Sequence, residues 1–309
     1  MTKRPAFMAA FPLTAKAAIH TPLVFRAGLF SADGLPWPSL EGIRDFARFA
    51  GIEDGAIRTA LSRAKREGSV LAQADGARGA RYVLAPETFA RGVAQVRADQ
   101  RPEGFLLAVF SFSTPEQEER ASLRALLKSY GFHKLAQNTY IHGRIETESL
   151  MAAIRELGLE RNFFLFTCPD IEDEGLVARV LSLFDLESRR KELDNYLALL
   201  KDFLPDELLR KANAGDRAVG RQEADGLAAG DDTSGDQAAG EQAAGDEFAR
   251  RLLYVAAVHW ERVEASEPPI PARHLPAGYA YGEIQTFYGH RLQEGRPAML
   301  KYFTRAFNS

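Results

Sequence analysis

Between Lys211 and Glu247 the only larger apolar side chains are Val219 and Leu227, and Ala-Ala-Gly occurs three times among Asp, Glu and Gln. Such a stretch cannot bury enough apolar surface to offset the entropy of ordering it. It is expected to be a flexible low-complexity linker over residues 211–247, with alanines that permit transient helix. Any core must therefore be built from the residues on either side of it. At 46% hydrophobic and 26% charged residues overall, the chain has the composition to do so.

Other features bound the class. The one cysteine, Cys168, can supply neither an intramolecular disulfide framework nor a thiolate cluster, so a reducing cytoplasm is the expected compartment. No run of about 18 uninterrupted apolar residues occurs, and no membrane partner is expected. Pro12 and Lys16 break the apolar character of the first segment, which reads as a mobile N-terminal arm over residues 1–20. The net charge of −3 is unevenly spread: residues 1–101 hold 15 Lys/Arg against 9 Asp/Glu. A basic end on an acidic body suits a polyanionic partner, because neutralising phosphates releases counterions.

The basic residues are patterned. A first helix is expected at about Thr21 to Phe30. In "LPWPSLEGIRDFARFAG", Ser39 is an N-cap behind Pro38, Leu40, Ile43, Ala47 and Ala50 recur at helical spacing, and Gly51 is a stop. Glu53 or Asp54 then opens a third helix, whose Ile57, Ala60, Leu61 and Ala64 form an apolar stripe. Arg58, Thr59, Ser62, Arg63, Lys65 and Arg66 cover the rest of it. Gly68 ends the helix, and "SVLAQ" and "RYVLA" flank a glycine turn carrying Arg78, with Arg81 just beyond. This is a winged helix-turn-helix over residues 21–101. Arg58, Thr59 and Ser62, near the helix start, are the candidates for base edges, and Lys65, Arg66, Arg78 and Arg81 for phosphates.

The next region reads as strand, helix, two strands, helix, strand: "EGFLLAVFSFS", "TPEQEERASLRALLKSYG", "FHKLAQNTYIHGR", "ETESLMAAIRELG" and "NFFLFTC". That βαββαβ order is ferredoxin-like, over residues 102–172. Helical patterns follow at 173–210 and again at 248–309, so the fold class is α+β with a C-terminal helical domain. His133 and His142 fall on adjacent strands without an evident third ligand, and no metal site is expected. Cys168 reads as a small core residue. Small CRISPR-associated nucleases share the middle order, but here the first strand ends in "FSFS" without a carboxylate, and Glu116, Glu118 and Glu119 belong to a solvated helical turn. No catalytic residues are assigned, and the chain is not expected to be an enzyme.

Taken together, "GIEDGAIRTALSRAKREG", "AVFSFSTPEQEERASLRALLKSYGFHKLAQNTYIHG" and "VHWERVEASEPPIPARHLPAGY" resemble the PaaX family of bacterial repressors of phenylacetate catabolism. The resemblance spans roughly Thr21 to Leu209 and Phe248 to Phe307. It implies a homodimeric transcription factor that binds double-stranded operator DNA, needs no cofactor, and is released by a CoA thioester such as phenylacetyl-CoA or another aryl- or acyl-CoA. The residues show no local CoA signature. Arg120, Arg124, His259 and Arg262 are conceivable anion partners, and Trp260, Tyr279, Tyr281 and Tyr288 conceivable pocket walls, but the effector site stays unassigned. The competing readings are an enzyme, either nucleic-acid-processing or acting on acyl-CoA, with an accessory DNA-binding domain, and a constitutive DNA-architectural protein.

Overall fold

The computed structural model describes residues 5–76, 79–88, 104–112, 117–143, 147–213, 233–264 and 266–308. Two compact units emerge, each assembled from separated stretches of chain. One comprises Met1–Arg97, Leu193–Ser266 and Ala280–Ser309; the other comprises Ala98–Glu192 and Glu267–Tyr279. The C-terminal helices are thus not a domain of their own, as the sequence suggests. They share a unit with the winged helix.

That unit begins with α1 (Ala6–Ala10) and α2 (Ala15–Ala27), where a mobile arm was expected. Thr14 caps α2, its hydroxyl accepting from the Ala17 N–H at 3.1 Å, and the first helix starts well before Thr21. Phe7 and Phe11 are buried: Phe7 stacks on Phe203 at 4.9 Å, and the Tyr254 hydroxyl donates to the Phe11 carbonyl at 2.9 Å. Proline and lysine interrupt the apolar run, but they do not deprive its aromatic residues of a core. Two phenyl rings of this kind bury enough apolar area to fix a short segment.

The helix-turn-helix follows as α3 (Leu40–Phe49) and α4 (Asp54–Arg66). Ser39 caps α3 by accepting from the Gly42 N–H at 3.1 Å. Gly51, with φ +73°, makes the turn between the helices in the left-handed region that disfavours a side chain. Ile43, Phe46 and Ala47 of α3 and Ile57, Leu61 and Ala64 of α4 are buried, and α2 packs against both helices. The hairpin of β1 (Val70–Ala74) and β2 (Ala80–Leu84) forms the wing. The chain before α3 joins it, through a bridge between Ser39 and Arg81 and a 2.9 Å bond from the Tyr82 N–H to the Pro38 carbonyl.

In the other unit β3 (Phe105–Phe110), α5 (Gln117–Ser129), β4 (His133–Ala136), β5 (Thr139–His142), α6 (Thr147–Glu156) and β6 (Phe163–Cys168) build an antiparallel sheet of order β4-β5-β3-β6. This is the ferredoxin-like arrangement, in which each helix crosses over one intervening strand. One sheet face packs Ala108, Phe110, Tyr140 and Phe163 against Leu123, Leu127, Leu150 and Ile154 of α5 and α6. The opposite face packs Phe105 and Ile141 against Val180, Leu186 and Ile270. Val180 lies on α7 (Glu174–Leu181), and the chain crosses between the units within α8 (Leu186–Phe203).

Residues 206–213 are helical, and Leu209 and Ala212 are buried. Helix resumes at α9 (Thr233–Val258), inside the stretch expected to be linker, and continues into a π-helical turn, His259–Glu264. The alanines noted in the sequence sustain a regular helix here once Phe248, Leu252 and Leu253 anchor its end in a core. Helices α10 (Tyr281–Glu294) and α11 (Arg296–Asn308) complete the unit, with α11 packed on α9 and on α3.

Candidate nucleic-acid interface

The amphipathic pattern of α4 dictates which of its faces meets water. Its apolar stripe points into the unit, so Arg58, Thr59, Ser62, Arg63, Lys65 and Arg66 are all left exposed. Arg58, Thr59, Ser62, Arg63 and Arg66 line one shallow, open hollow. The Thr59 hydroxyl donates to the Gly55 carbonyl at 2.9 Å, which keeps its oxygen available as an acceptor.

The charge on this face differs from that on the neighbouring helix. On α3, Arg48 meets Glu41 at 2.7 Å and Arg44 meets Glu41 at 3.6 Å and Asp54 at 3.5 Å. The Arg48 guanidinium, by hydrogen bonding, holds the Glu41 carboxyl below its ordinary range. Arg58, Arg63, Lys65 and Arg66 form no ion pair within the described residues. Uncompensated cations on a convex helix attract a polyanion far better than the same number locked in pairs.

The wing does not behave as the sequence suggests. Arg78 lies outside the described residues. Arg81, expected to reach phosphate, is only 5% exposed. Its Nε donates to Asp75 at 2.8 Å, and its Nη1 donates to the carbonyls of Trp37 and Phe307. Those acceptors occupy the guanidinium inside the protein, so Arg81 is corrected from phosphate contact to brace between the wing and α11. Asp75, six residues earlier and across the hairpin, was the available signal.

The other candidate groups are dispersed. His133 stands opposite Ile141 in the β4–β5 ladder, and His142 opposite Leu106 of β3. Burial, with a smaller contribution from His133, depresses the His142 pKa to about 4. Among the described residues no group of three or more His, Cys, Asp or Glu is placed to hold a metal ion. Cys168 is partly buried beside the second sheet cluster and donates to the Asp170 carbonyl at 3.0 Å. Arg120 and Arg124 lie on α5 of the ferredoxin-like unit, where Arg120 donates to the Phe112 carbonyl at 3.3 Å. His259 and Arg262 belong to the other unit. His259 is buried, its ring 4.9 Å from that of Tyr288, and Arg262 reaches the Pro12 carbonyl at 3.4 Å. Tyr281 is buried on α10, Tyr279 belongs to the ferredoxin-like unit, and the Trp260 side chain lies outside the described residues.

A winged helix whose α4 exposes cations that form no ion pair among the described residues, together with a ferredoxin-like module, defines the class. Residues 103–176 match the family model of the PaaX protein central Cas2-like domain. The layout of N-terminal helices, central sheet and C-terminal helices is consistent with the PaaX one. Among solved structures, the chain is similar to the uncharacterized protein Rv0674 from Mycobacterium tuberculosis, at 19% identity and a TM-score of 0.46 over 94% of this chain and 98% of that one. No curated protein matches. No helix among the described residues is long and apolar enough to cross a membrane.

Proposed function

We propose that this protein is a DNA-binding transcriptional regulator that places α4 in the major groove of an operator. The observation that carries this reading is the exposed face of α4, whose cations form no ion pair among the described residues while those of α3 are neutralised. Arg58, Thr59 and Ser62, on the N-terminal half of α4, are suited to base edges, and Arg63, Lys65 and Arg66, further along, to phosphates on either side. Arg78 is proposed for phosphate from its place in the sequence, and Arg81 supports the wing from within.

The PaaX character of the middle domain favours a homodimeric repressor of a catabolic operon, released from DNA by an aryl- or acyl-CoA thioester. Release requires the effector to bind the DNA-free arrangement more tightly than the DNA-bound one. Nothing in the chemistry described so far calls for catalysis.

The test is a fluorescence-anisotropy titration at stepped salt, with DNA from upstream of the protein's own coding region and a scrambled duplex, comparing wild type with Arg58→Ala/Arg63→Ala. The wild type should prefer the native duplex. The variant should lose that preference and show a salt slope smaller by roughly 0.9 per phosphate contact removed. Equal binding of both duplexes by both proteins refutes the assignment. A shift of affinity with phenylacetyl-CoA tests the effector separately.

A further inference from the structure

The hairpin β1–β2 is a sheet of only two strands, which is marginal on its own, and β1 buries only Val70. Its anchorage lies in β2, where Arg81 and Tyr82, neighbours whose side chains leave opposite faces of the strand, are both buried. Arg81 joins three pieces of chain. Its backbone bridges to Ser39, the N-cap of α3, and its guanidinium donates to the Trp37 carbonyl just before that cap and to the Phe307 carbonyl of α11. Phe307 is among the last four residues of α11, whose carbonyls find no donor within the helix. A cation there meets an orphan acceptor at the negative end of the helix dipole. The same guanidinium holds Asp75, whose N–H donates to the Gly79 carbonyl across the hairpin turn at 2.7 Å.

The same end of α11 is fastened to the helix-turn-helix. Tyr302 donates to Asp45 of α3 at 2.7 Å, and Arg250 of α9 pairs with that carboxylate at 3.5 Å while lying over the rings of Phe49 and Tyr302. Gly42 lets the backbones of α3 and α11 close, since a Cβ there would stand 2.5 Å from the Ala306 carbonyl oxygen. The last turns of α11 thus hold α3, which carries α4 through the Gly51 turn, and also hold the hairpin. α4 and β1 are joined directly through Gly68 as well, but that junction fixes only the root of the hairpin. Its turn end is fixed through Asp75, Arg81 and α11.

We propose that Arg81 and the last turns of α11 are positioning elements for operator recognition, holding the turn end of the wing at the distance from α4 that one particular duplex demands. This rests on the DNA-binding function proposed above and adds that the chain's last helix sets its specificity. The exposed cations of α4 attract any duplex, because phosphate charge does not depend on sequence. A preferred sequence requires more: α4 and the wing must engage the same stretch of DNA together, in fixed register. Loosening the clamp therefore removes discrimination and leaves sequence-independent attraction in place. Arg81 acts here through geometry, and its buried charge makes no phosphate contact.

The experiment uses the full chain and a duplex that the wild type selects from random-sequence DNA. Arg81→Met keeps the aliphatic stem and removes the donors, Arg81→Lys keeps the charge without the planar fork, and Gly42→Ala leaves Arg81 intact and displaces the Ala306 carbonyl. Without DNA, hydrogen exchange over residues 70–84 should speed up by roughly tenfold or more in Arg81→Met and Gly42→Ala, with β3 and β6 unchanged. Binding is then measured at a temperature where every variant keeps the helical circular dichroism of the wild type. Preference for the selected duplex over a scrambled one should fall at least roughly tenfold in all the variants, while affinity for the scrambled duplex stays within about twofold. Full preference in Arg81→Lys with loss in Arg81→Met would give the charge to DNA and overturn the proposal. Unchanged hairpin exchange overturns it too, as does a loosened hairpin with preference intact. If selection enriches no sequence, the function proposed above fails, whereas hydrogen exchange still decides whether α11 clamps the wing.

Discussion

Replacing Arg81 by alanine separates a brace from a phosphate contact. In the folded protein the guanidinium serves the carbonyls of Trp37 and Phe307 and the Asp75 carboxylate, with its side chain 6% exposed. Asp75 is 41% exposed, so water replaces its lost partner and that pair contributes little, on the order of 0–1 kcal/mol. The carbonyls weigh more. Hydrogen bonds from a charged donor contribute about 1.5–3 kcal/mol, and a buried acceptor left unpaired costs roughly 1–3 kcal/mol. These overlap, and a net loss of about 2–4 kcal/mol follows. Urea unfolding can be read through Trp37 in a Trp260→Phe background, since the chain has only these two tryptophans. With a slope of about 2 kcal/mol/M, the midpoint should fall by about 1–2 M at unchanged slope. Arg58→Ala, which removes an exposed side chain with no ion pair among the described residues, should leave it in place. An unshifted midpoint for Arg81→Ala, together with a salt slope on operator DNA reduced by roughly 0.9, would refute the brace.

Two further substitutions probe how the C-terminal helices hold the winged-helix unit, and a third tests a buried histidine of the other unit. A Cβ on Gly42 would stand 2.5 Å from the Ala306 carbonyl oxygen and 3.2 Å from the Phe307 ring, so Gly42→Ala should destabilise by about 1–3 kcal/mol despite its better helix propensity, as measured by urea denaturation. The Tyr302 hydroxyl donates to Asp45 at 2.7 Å, and burial followed by the Asp45 charge raises its pKa; Tyr302→Phe should cost about 1–3 kcal/mol in the same assay. In the ferredoxin-like unit, His142 is neutral when folded because burial depresses its pKa to about 4, while the unfolded chain takes up the proton near pH 6.5. Between those values the unfolded state binds more protons, so stability rises with pH. The contribution is present above pH 6.5 and lost as the pH falls towards 4. His142→Gln should flatten denaturation midpoints measured across that window.

Much of the winged-helix unit was legible because its signals are local. Ser39 caps a helix through a hydroxyl three residues from its donor, Gly51 and Gly68 end helices because their backbones are left-handed, and the apolar spacing of α4 settles which of its residues stay in water. The βαββαβ order was equally readable, since each element carries its own period. Arg81 was misread because exposure on a wing depends on what the wing lies against, and its acceptor at Phe307 is 226 residues away. The N-terminal residues were misread for the same reason: beyond its neighbour Phe11, the Phe7 ring finds Tyr196, Phe203 and Tyr254 only after the chain has returned.

The amino-acid order by itself determined α4, its basic face, the caps and stops around it, and the strand and helix order of the middle module, all of which depend on neighbours within a few turns or strands. Only the tertiary structure decided that the C-terminal helices belong with the winged helix and that one wing arginine is a buried support. Each of these depends on which distant surfaces exclude water from one another, and burial is a property of the assembled chain.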